Sequence, residues 1–148
     1  MSEPIENMGR MTDSANGLRE CLRHASRHWF YGDEVLLDLL LVGRLSRGHV
    51  LLSGPPGVAK TSIAQEFGAW SGDLPVRVQF SPDMHPMDIT GGYALDPESG
   101  TLVLKRGPVF HPYVVADELN RAPGRAHATL LEALEEGQVS IEGESHSL

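Results

Sequence analysis

Positive charge and cysteine are scarce in this sequence of 148 residues. Twelve Lys and Arg stand against 20 Asp and Glu, which gives a net charge of −8, and no run of basic residues occurs. Nucleic acids and acidic membrane surfaces attract clustered positive charge, so neither is expected as a partner. The single cysteine, Cys21, cannot form a disulfide within the chain.

Long apolar stretches are also missing. The longest, residues 35–42, is interrupted by Asp38 and is far too short to cross a bilayer. Residues 1–10 lack the apolar stretch of a signal peptide, which predicts a cytoplasmic protein. Residues 1–17 are small, polar and without periodicity, which is typical of a flexible leader. A hydrophobic content of 41% and a charged content of 22% indicate an ordinary globular domain.

Helical and extended patterns alternate along the rest of the chain. Apolar spacing predicts helices at Leu18 to Tyr31, Asp33 to Gly48, Ile63 to Ser71 and Pro123 to Gly137. In the second of these helices, one face is shared by Leu36, Leu39, Leu40 and Gly43. Strands are predicted at His49–Leu52, Val76–Phe80 and Pro112–Ala116, hairpins at Tyr93–Arg106 and Gln138–Leu148, and a loop at Ser81–Gly92. Strands separated by helices favour an α/β fold with a parallel sheet.

The segment after the first predicted strand matches a phosphate-binding loop. It has the glycines, the lysine and the hydroxyl residue of that pattern, in the order Gly54, Pro55, Pro56, Gly57, Val58, Ala59, Lys60, Thr61. In such a loop the backbone amides turn toward phosphate oxygens, the lysine meets the terminal phosphates and the threonine supplies a hydroxyl to Mg²⁺. Residues Gly54 to Ser62 are therefore the candidate nucleotide site. The alternative is a tight turn between a strand and a helix.

Ala59 departs from this pattern, which has glycine at the same position. A methyl group is tolerated there if the residue has helical dihedral angles, and it is harmful if φ must be positive. The sequence leaves both open.

Two adjacent carboxylates follow the strand predicted at 112–116. In nucleotide hydrolases with such a loop, the first carboxylate holds the magnesium shell and the second polarises the attacking water. This pattern assigns Asp117 to Mg²⁺ and Glu118 to the general base. The alternative is a helix cap with a solvated acid.

Together these segments resemble the MoxR family of AAA+ ATPases. The resemblance is carried by GHVLLSGPPGVAKT, VQFSPDMHPMDITGG, GPVF, VVADELNRAP and LLEALEEGQVSIEG. It implies a P-loop NTPase core over residues 18–148, with a parallel sheet, helices on both faces and two hairpin insertions. It also implies ATP and Mg²⁺ as ligands and a homo-oligomeric ring, commonly a hexamer. Members of the family remodel or activate partner proteins, many of which carry a von Willebrand factor A domain.

The resemblance also implies roles for individual residues. The family's nucleotide, metal and catalytic positions correspond to Lys60, Thr61, Asp117 and Glu118. Tyr31 and Gly32 fall where the family contacts adenine. Gln79 is a candidate for the polar switch that restrains the general base, and the alternative is an ordinary exposed side chain on a strand.

Several parts of the family's module have no counterpart before Leu148, among them sensor 1, the arginine finger and the helical lid. We therefore expect the strand at 49–52 to lack a neighbour, and the strands at 76–80 and 112–116 to pair only with each other. A truncated piece of a longer ATPase is the favoured interpretation, and it leaves turnover by this chain alone in doubt. The alternatives are a module completed by a partner chain, a non-catalytic subunit of a ring, and a small-molecule kinase.

Overall fold

A computed structural model describes residues 34–71 and 74–148. The chain divides into two compact units, Met1–Gly72 and Asp73–Leu148. The two units are described separately below.

Several expectations concern residues outside the described ranges. They are the flexible leader 1–17, the helix from Leu18 to Tyr31, and the adenine-binding pair Tyr31 and Gly32. These expectations stay predictions, as does a single domain over residues 18–148.

Helices and strands alternate through the described residues. In chain order they are α1 (Glu34–Leu45), α2 (Lys60–Trp70), β1 (Val76–Gln79), α3 (Pro86–Thr90), β2 (Gly91–Leu95), β3 (Leu102–Arg106), β4 (Val114–Asp117), α4 (Gly124–Glu136), β5 (Gln138–Ile141) and β6 (Glu144–Ser147). Short 3₁₀ turns lie at Pro108–Phe110 and Leu119–Arg121. Among these elements, none is a helix long and apolar enough to cross a membrane.

The helix predicted after Asp33 is present as α1, and the residues of its shared face are buried to different extents. Leu39 is 56% exposed, whereas Leu40 and Leu41 are each only 4% exposed. Almost every residue from Val35 to Val42 is apolar, so the spacing of apolar residues could not decide which side of the helix becomes buried.

Residues 49–52 do not form the predicted strand. The sequence analysis expected this segment to lack a neighbouring strand, and none of the described strands pairs with it. Leu51 is 81% exposed. A strand needs a hydrogen-bonded neighbour to satisfy its backbone groups, so the segment stays irregular. Val50 instead packs against α1, where a Cβ placed on Gly43 would lie 2.3 Å from its Cγ2.

A parallel pair is formed by β1 and β4 in the second unit. Gln79 lies opposite Asp117 in this pair, and the backbone N–H of Phe80 extends the ladder by donating to the Asp117 carbonyl at 2.8 Å. One side of the pair faces a core whose buried members are Val78, Phe80, Ile89 and Ala126. Residues alternate between the two faces of a strand, so Arg77 and Gln79 lie on the opposite side from Val78.

Both predicted hairpins are present. β2 pairs with β3, and β5 pairs with β6, in antiparallel register. A second core joins them to α4, with Ala133, Val139 and Ile141 buried and Tyr93, Leu104, Val109 and Phe110 packed around them. α4 ends where expected, at Gly137 with φ 63°, although Pro123 is its N-cap rather than its first residue.

The short helix α3 corrects the prediction of a loop over Ser81–Gly92. Pro86 stands in its first turn, and the backbone N–H of His85 donates to the Asp88 carboxylate at 2.7 Å. This reciprocal capping is ordinarily supplied by Ser or Thr at the first position, so a histidine there gave no signal.

Candidate functional site

Lys60 folds back onto its own loop. Its Nζ donates to the carbonyl oxygens of Gly54 at 2.9 Å and of Pro55 at 2.7 Å. The loop from Gly54 to Ala59 is exposed, and Lys60 is the first residue of α2. The ammonium group therefore lies against the carbonyls of the first two loop residues. The predicted role of Lys60 toward phosphate stays a prediction.

Ala59 adopts the left-handed conformation, with φ 58° and ψ 24°. Gly57, two residues earlier, also has positive φ, at 81°. Left-handed residues set between right-handed ones turn successive amide N–H groups toward one side, which makes a concave anion site. The sequence left open whether φ of Ala59 is negative or positive, and in the structure it is positive. This is the less favourable conformation, because an alanine methyl group is strained at positive φ.

The start of α2 is suited to an anion as well. Ala59 makes no side-chain cap for the helix, and its carbonyl accepts the first helical hydrogen bond, from Ile63 at 2.9 Å. The first amides of an α-helix have no carbonyl partner within it, and the helix dipole is positive at this end. Thr61 and Ser62 lie in this first turn, as the phosphate-loop prediction requires.

Asp117 and Glu118 lie together in the second unit, at the carboxyl end of β4. The Glu118 N–H donates to Oδ1 of Asp117 at 3.1 Å. Glu118 is exposed and left-handed, with φ 56° and ψ 37°. Backbone strain of this kind persists where the surrounding structure imposes it, and it is concentrated at functional sites.

Arg77 is the residue at this site that the sequence analysis missed. Its Nη2 lies 2.6 Å from Oδ2 of Asp117, and its Nε donates to the same oxygen at 3.2 Å. Nη2 also donates to Oε1 of Gln79 at 2.7 Å. The signal was an arginine two residues before Gln79 on a predicted strand, but only the register of β1 with β4 shows which carboxylate it meets.

Gln79 is the exposed strand side chain that the alternative interpretation described. Its side-chain oxygen accepts a hydrogen bond from Arg77. Its proposed role as a switch acting on Glu118 stays a prediction.

The carboxylate of Asp117 suits a Mg²⁺ ion that phosphate oxygens also hold. Among the described residues, no group of three or more His, Cys, Asp or Glu side chains could hold a metal ion. Mg²⁺ keeps several waters and is commonly bound by one or two carboxylates together with substrate phosphates. Asp117, in the second unit, is a carboxylate of this kind. The role of Thr61, in the first unit, toward Mg²⁺ stays a prediction.

Residues 49–148 match the model of the family described as "ATPase family associated with various cellular activities (AAA)". The match includes the loop from Gly54 and both carboxylates, and it covers more than half of the chain. The chain belongs to this AAA family.

MoxR proteins are among the relatives of this AAA chain. It is 43% identical to "Chaperone MoxR1" of Mycobacterium tuberculosis over 112 residues, which are 76% of the chain and 30% of MoxR1. It is 34% identical to "Uncharacterized protein YeaC" of Bacillus subtilis over 131 residues, or 88% of the chain and 41% of YeaC. The chain therefore spans less than half the length of these curated relatives, and it is a MoxR-like member of the AAA family.

A solved structure shares the fold of this AAA chain. It is the crystal structure of a "putative ATPase" from Cytophaga hutchinsonii, with a TM-score of 0.68 and 29% sequence identity. The similarity covers 97% of this chain and 44% of the other. The predicted α/β P-loop core is thereby confirmed as the fold class.

Proposed function

We propose that this chain binds ATP together with Mg²⁺ through the loop Gly54–Ser62 and the carboxylate of Asp117. The observation that carries the proposal is the loop itself, in which Lys60 lies against the carbonyls of Gly54 and Pro55 and the left-handed Ala59 leads into α2. A loop with left-handed residues, an ammonium group and a helix N-terminus has the chemistry that a triphosphate needs.

Each predicted site residue has a definite task in this proposal. Lys60 exchanges the two carbonyl oxygens for oxygens of the terminal phosphates, while the amides of residues 57–62 surround the remaining phosphate oxygens. Thr61 and Asp117 would hold Mg²⁺, which would neutralise negative charge on the phosphates. Glu118 accepts a proton from the water that attacks the terminal phosphate. Tyr31 and Gly32 are proposed to contact adenine.

In the longer proteins to which this chain is similar, we propose that ATP hydrolysis drives chaperone-like remodelling or activation of a partner protein. The proposal draws on the similarity to MoxR1 of Mycobacterium tuberculosis, which is named a chaperone. A homo-oligomeric ring, a hexamer by resemblance, and a partner with a von Willebrand factor A domain belong to the same proposal. So does a cytoplasmic location.

A thermal melt with and without Mg²⁺ and ATP tests nucleotide binding. A ligand at 100 times its dissociation constant that binds only the folded chain adds about 2.7 kcal/mol to the free energy of unfolding. We expect this shift in the wild type and its loss in Lys60→Ala. The chain has one other lysine, Lys105, so Lys105→Ala is the matched control and should keep the shift.

The same preparation separates the proposed function from its alternatives. Equal shifts in the wild type and Lys60→Ala would contradict binding through the loop. ATP binding without phosphate release, even in the presence of a full-length relative, would favour a non-catalytic subunit. Transfer of phosphate to a small acceptor would favour a kinase.

A further inference from the structure

The ion pair between Arg77 and Asp117 is created by the fold. The two residues are 40 positions apart in sequence, and the parallel register of β1 and β4 brings them together. Arg77 and Gln79 alternate onto the same face of β1, and Gln79 stands opposite Asp117. The guanidinium group therefore reaches along this face to the carboxylate at the end of the neighbouring strand.

Both oxygens of the Asp117 carboxylate accept hydrogen bonds. Oδ2 accepts from Nη2 and Nε of Arg77, at 2.6 and 3.2 Å, and Oδ1 accepts from the Glu118 N–H at 3.1 Å. Arg77 is itself oriented by Gln79, whose Oε1 accepts from Nη2 at 2.7 Å. β1 and β4 thus hold the positively charged guanidinium group of Arg77 against the carboxylate of Asp117.

The guanidinium group and Mg²⁺ both need an oxygen of this carboxylate. Arginine does not lose its proton in proteins, so its charge is present at every pH of interest. Hydrated Mg²⁺ approaches a carboxylate either directly or through its tightly held waters, and both approaches need a carboxylate oxygen. The oxygen Oδ2 already carries two donors from Arg77, which leaves little room for a second cation.

The ion pair is also weak enough to be displaced. The side chain of Arg77 is 47% exposed and that of Asp117 is 20% exposed. Ion pairs in contact with solvent contribute little free energy because water screens them. A divalent cation carries twice the charge of the guanidinium group, so at the same distance it has the greater attraction for the carboxylate.

We propose that Arg77 competes with Mg²⁺ for Oδ2 of Asp117, so that binding of Mg²⁺ and ATP releases Arg77. The inference rests on the proposed function, because it takes Asp117 as the metal-binding carboxylate. It adds Arg77, as a regulating residue, to the site proposed from the loop and the two carboxylates. Arg77 neutralises the carboxylate before nucleotide arrives, and it sets the Mg²⁺ concentration at which the loaded state forms.

Titration with Mg²⁺ tests the competition directly. A fluorescent ATP analogue would be bound to the 148-residue chain at rising Mg²⁺ and, separately, in EDTA. Arg77→Gln should lower the Mg²⁺ concentration of half-maximal effect about fivefold, the factor that corresponds to about 1 kcal/mol. Arg77→Lys keeps the charge but loses the forked contact, so it should give an intermediate value.

Lys105→Gln is the control for net charge, because it removes one positive charge from an exposed position on β3. The proposal requires that this variant keep the wild-type Mg²⁺ dependence and that Arg77→Gln match it in EDTA. If Arg77→Gln and Lys105→Gln have the same Mg²⁺ concentration of half-maximal effect, or if Arg77→Gln raises it, the proposed competition is wrong. The proposal of nucleotide binding is not affected by that result. If the wild type binds the analogue neither in EDTA nor with Mg²⁺, the proposed function itself fails and the competition fails with it.

A measurement on the wild type covers the case in which Arg77→Gln does not fold. The Nε–Hε NMR signal of Arg77 reports its hydrogen bond to Asp117. Asp117→Ala removes both side-chain acceptors and supplies the reference position of a released arginine. Adding Mg²⁺ and ATP should move the wild-type signal to that reference, whereas ATP in EDTA should leave it in place. A signal that stays put while Mg²⁺ and ATP demonstrably bind would overturn the proposal.

Discussion

The hydroxyl of Tyr93 donates a hydrogen bond to Oε2 of Glu144 at 2.9 Å, which joins the two hairpins of the second unit. The rings of Tyr93 and His146 also meet edge to face, with centroids 6.4 Å apart. These contacts cross 51 positions of sequence between Tyr93 and Glu144, and they lie beside the core formed by Ala133, Val139 and Ile141. The hairpins therefore support each other rather than standing as separate insertions.

The bond predicts how alkaline pH destabilises the second unit. The hydrogen bond to Glu144 raises the pKa of Tyr93 above its usual value of 10.0, because it favours the neutral hydroxyl. A pKa that is higher in the folded state contributes stability below pH 10, and the contribution disappears as the pH rises through the folded value. We expect Tyr93→Phe to have a lower melting temperature than the wild type at pH 8. Between pH 8 and pH 11 its melting temperature should fall less than that of the wild type.

The comparison uses Tyr113→Phe as the control, since Tyr113 lies outside both hairpins. Melting temperatures from pH 8 to pH 11 would be measured for all three proteins. If Tyr93→Phe lost as much stability at alkaline pH as the wild type, the hydrogen bond to Glu144 would not contribute to folding.

The turn of the first hairpin predicts the opposite dependence on pH. Asp96 accepts hydrogen bonds from the Ser99 hydroxyl at 2.5 Å and from the Ser99 N–H at 3.2 Å, and these bonds lower its pKa below 3.8. A lowered pKa contributes stability above the unfolded value, and that contribution is lost as the pH falls through the folded value. Asp96→Asn should flatten the loss of hairpin protection in amide exchange between pH 5 and pH 3, whereas Asp83→Asn in an exposed turn should not.

The base of the same hairpin predicts a strict need for glycine. A Cβ on Gly107 would lie 2.3 Å from the Gly91 nitrogen and 2.4 Å from the Ile89 carbonyl oxygen. These are backbone atoms that cannot turn aside, so Gly107→Ala should cost about 3 kcal/mol of unfolding free energy, at the upper end of the usual cost of overpacking.

Gly124→Ala is the matched substitution, because a Cβ there would meet nothing within 4 Å. Denaturant unfolding of the two variants should give a clear loss for Gly107→Ala and almost none for Gly124→Ala. Similar midpoints for the two would mean that the hairpin base opens without cost.

The sequence predicted the elements whose partners lie nearby in the chain. Both hairpins, α4 and its end at Gly137 follow from local spacing and turn residues, and the structure confirms them. The strand at 49–52 failed because an extended apolar run becomes a strand only beside another strand. The short helix α3 was missed since its cap uses His85 and Asp88 in place of the usual residues.

The candidate site shows the same division. The loop from Gly54 and the pair Asp117 and Glu118 are contiguous motifs, so their residue types could be recognised in the sequence alone. The contact of Arg77 with Asp117 could not, because it depends on the register between strands 40 positions apart. The conformation of Ala59 was likewise out of reach, since both signs of φ are compatible with its place before a helix.

The left-handed conformation of Ala59 leads to the final prediction. An L-residue with a Cβ is strained at φ 58°, by about 1 kcal/mol relative to glycine. Ala59→Gly should therefore raise the free energy of unfolding by about this amount, which corresponds to an increase of about 2–4 °C in the melting temperature of a chain of this size. Ala128→Gly supplies the control of opposite sign, because glycine inside the regular helix α4 costs about 1 kcal/mol. A melting temperature that falls in both variants would mean that Ala59 leaves the left-handed region in solution. An increase for Ala59→Gly without a change in ATP affinity would separate the strain of the loop from its ability to hold phosphate.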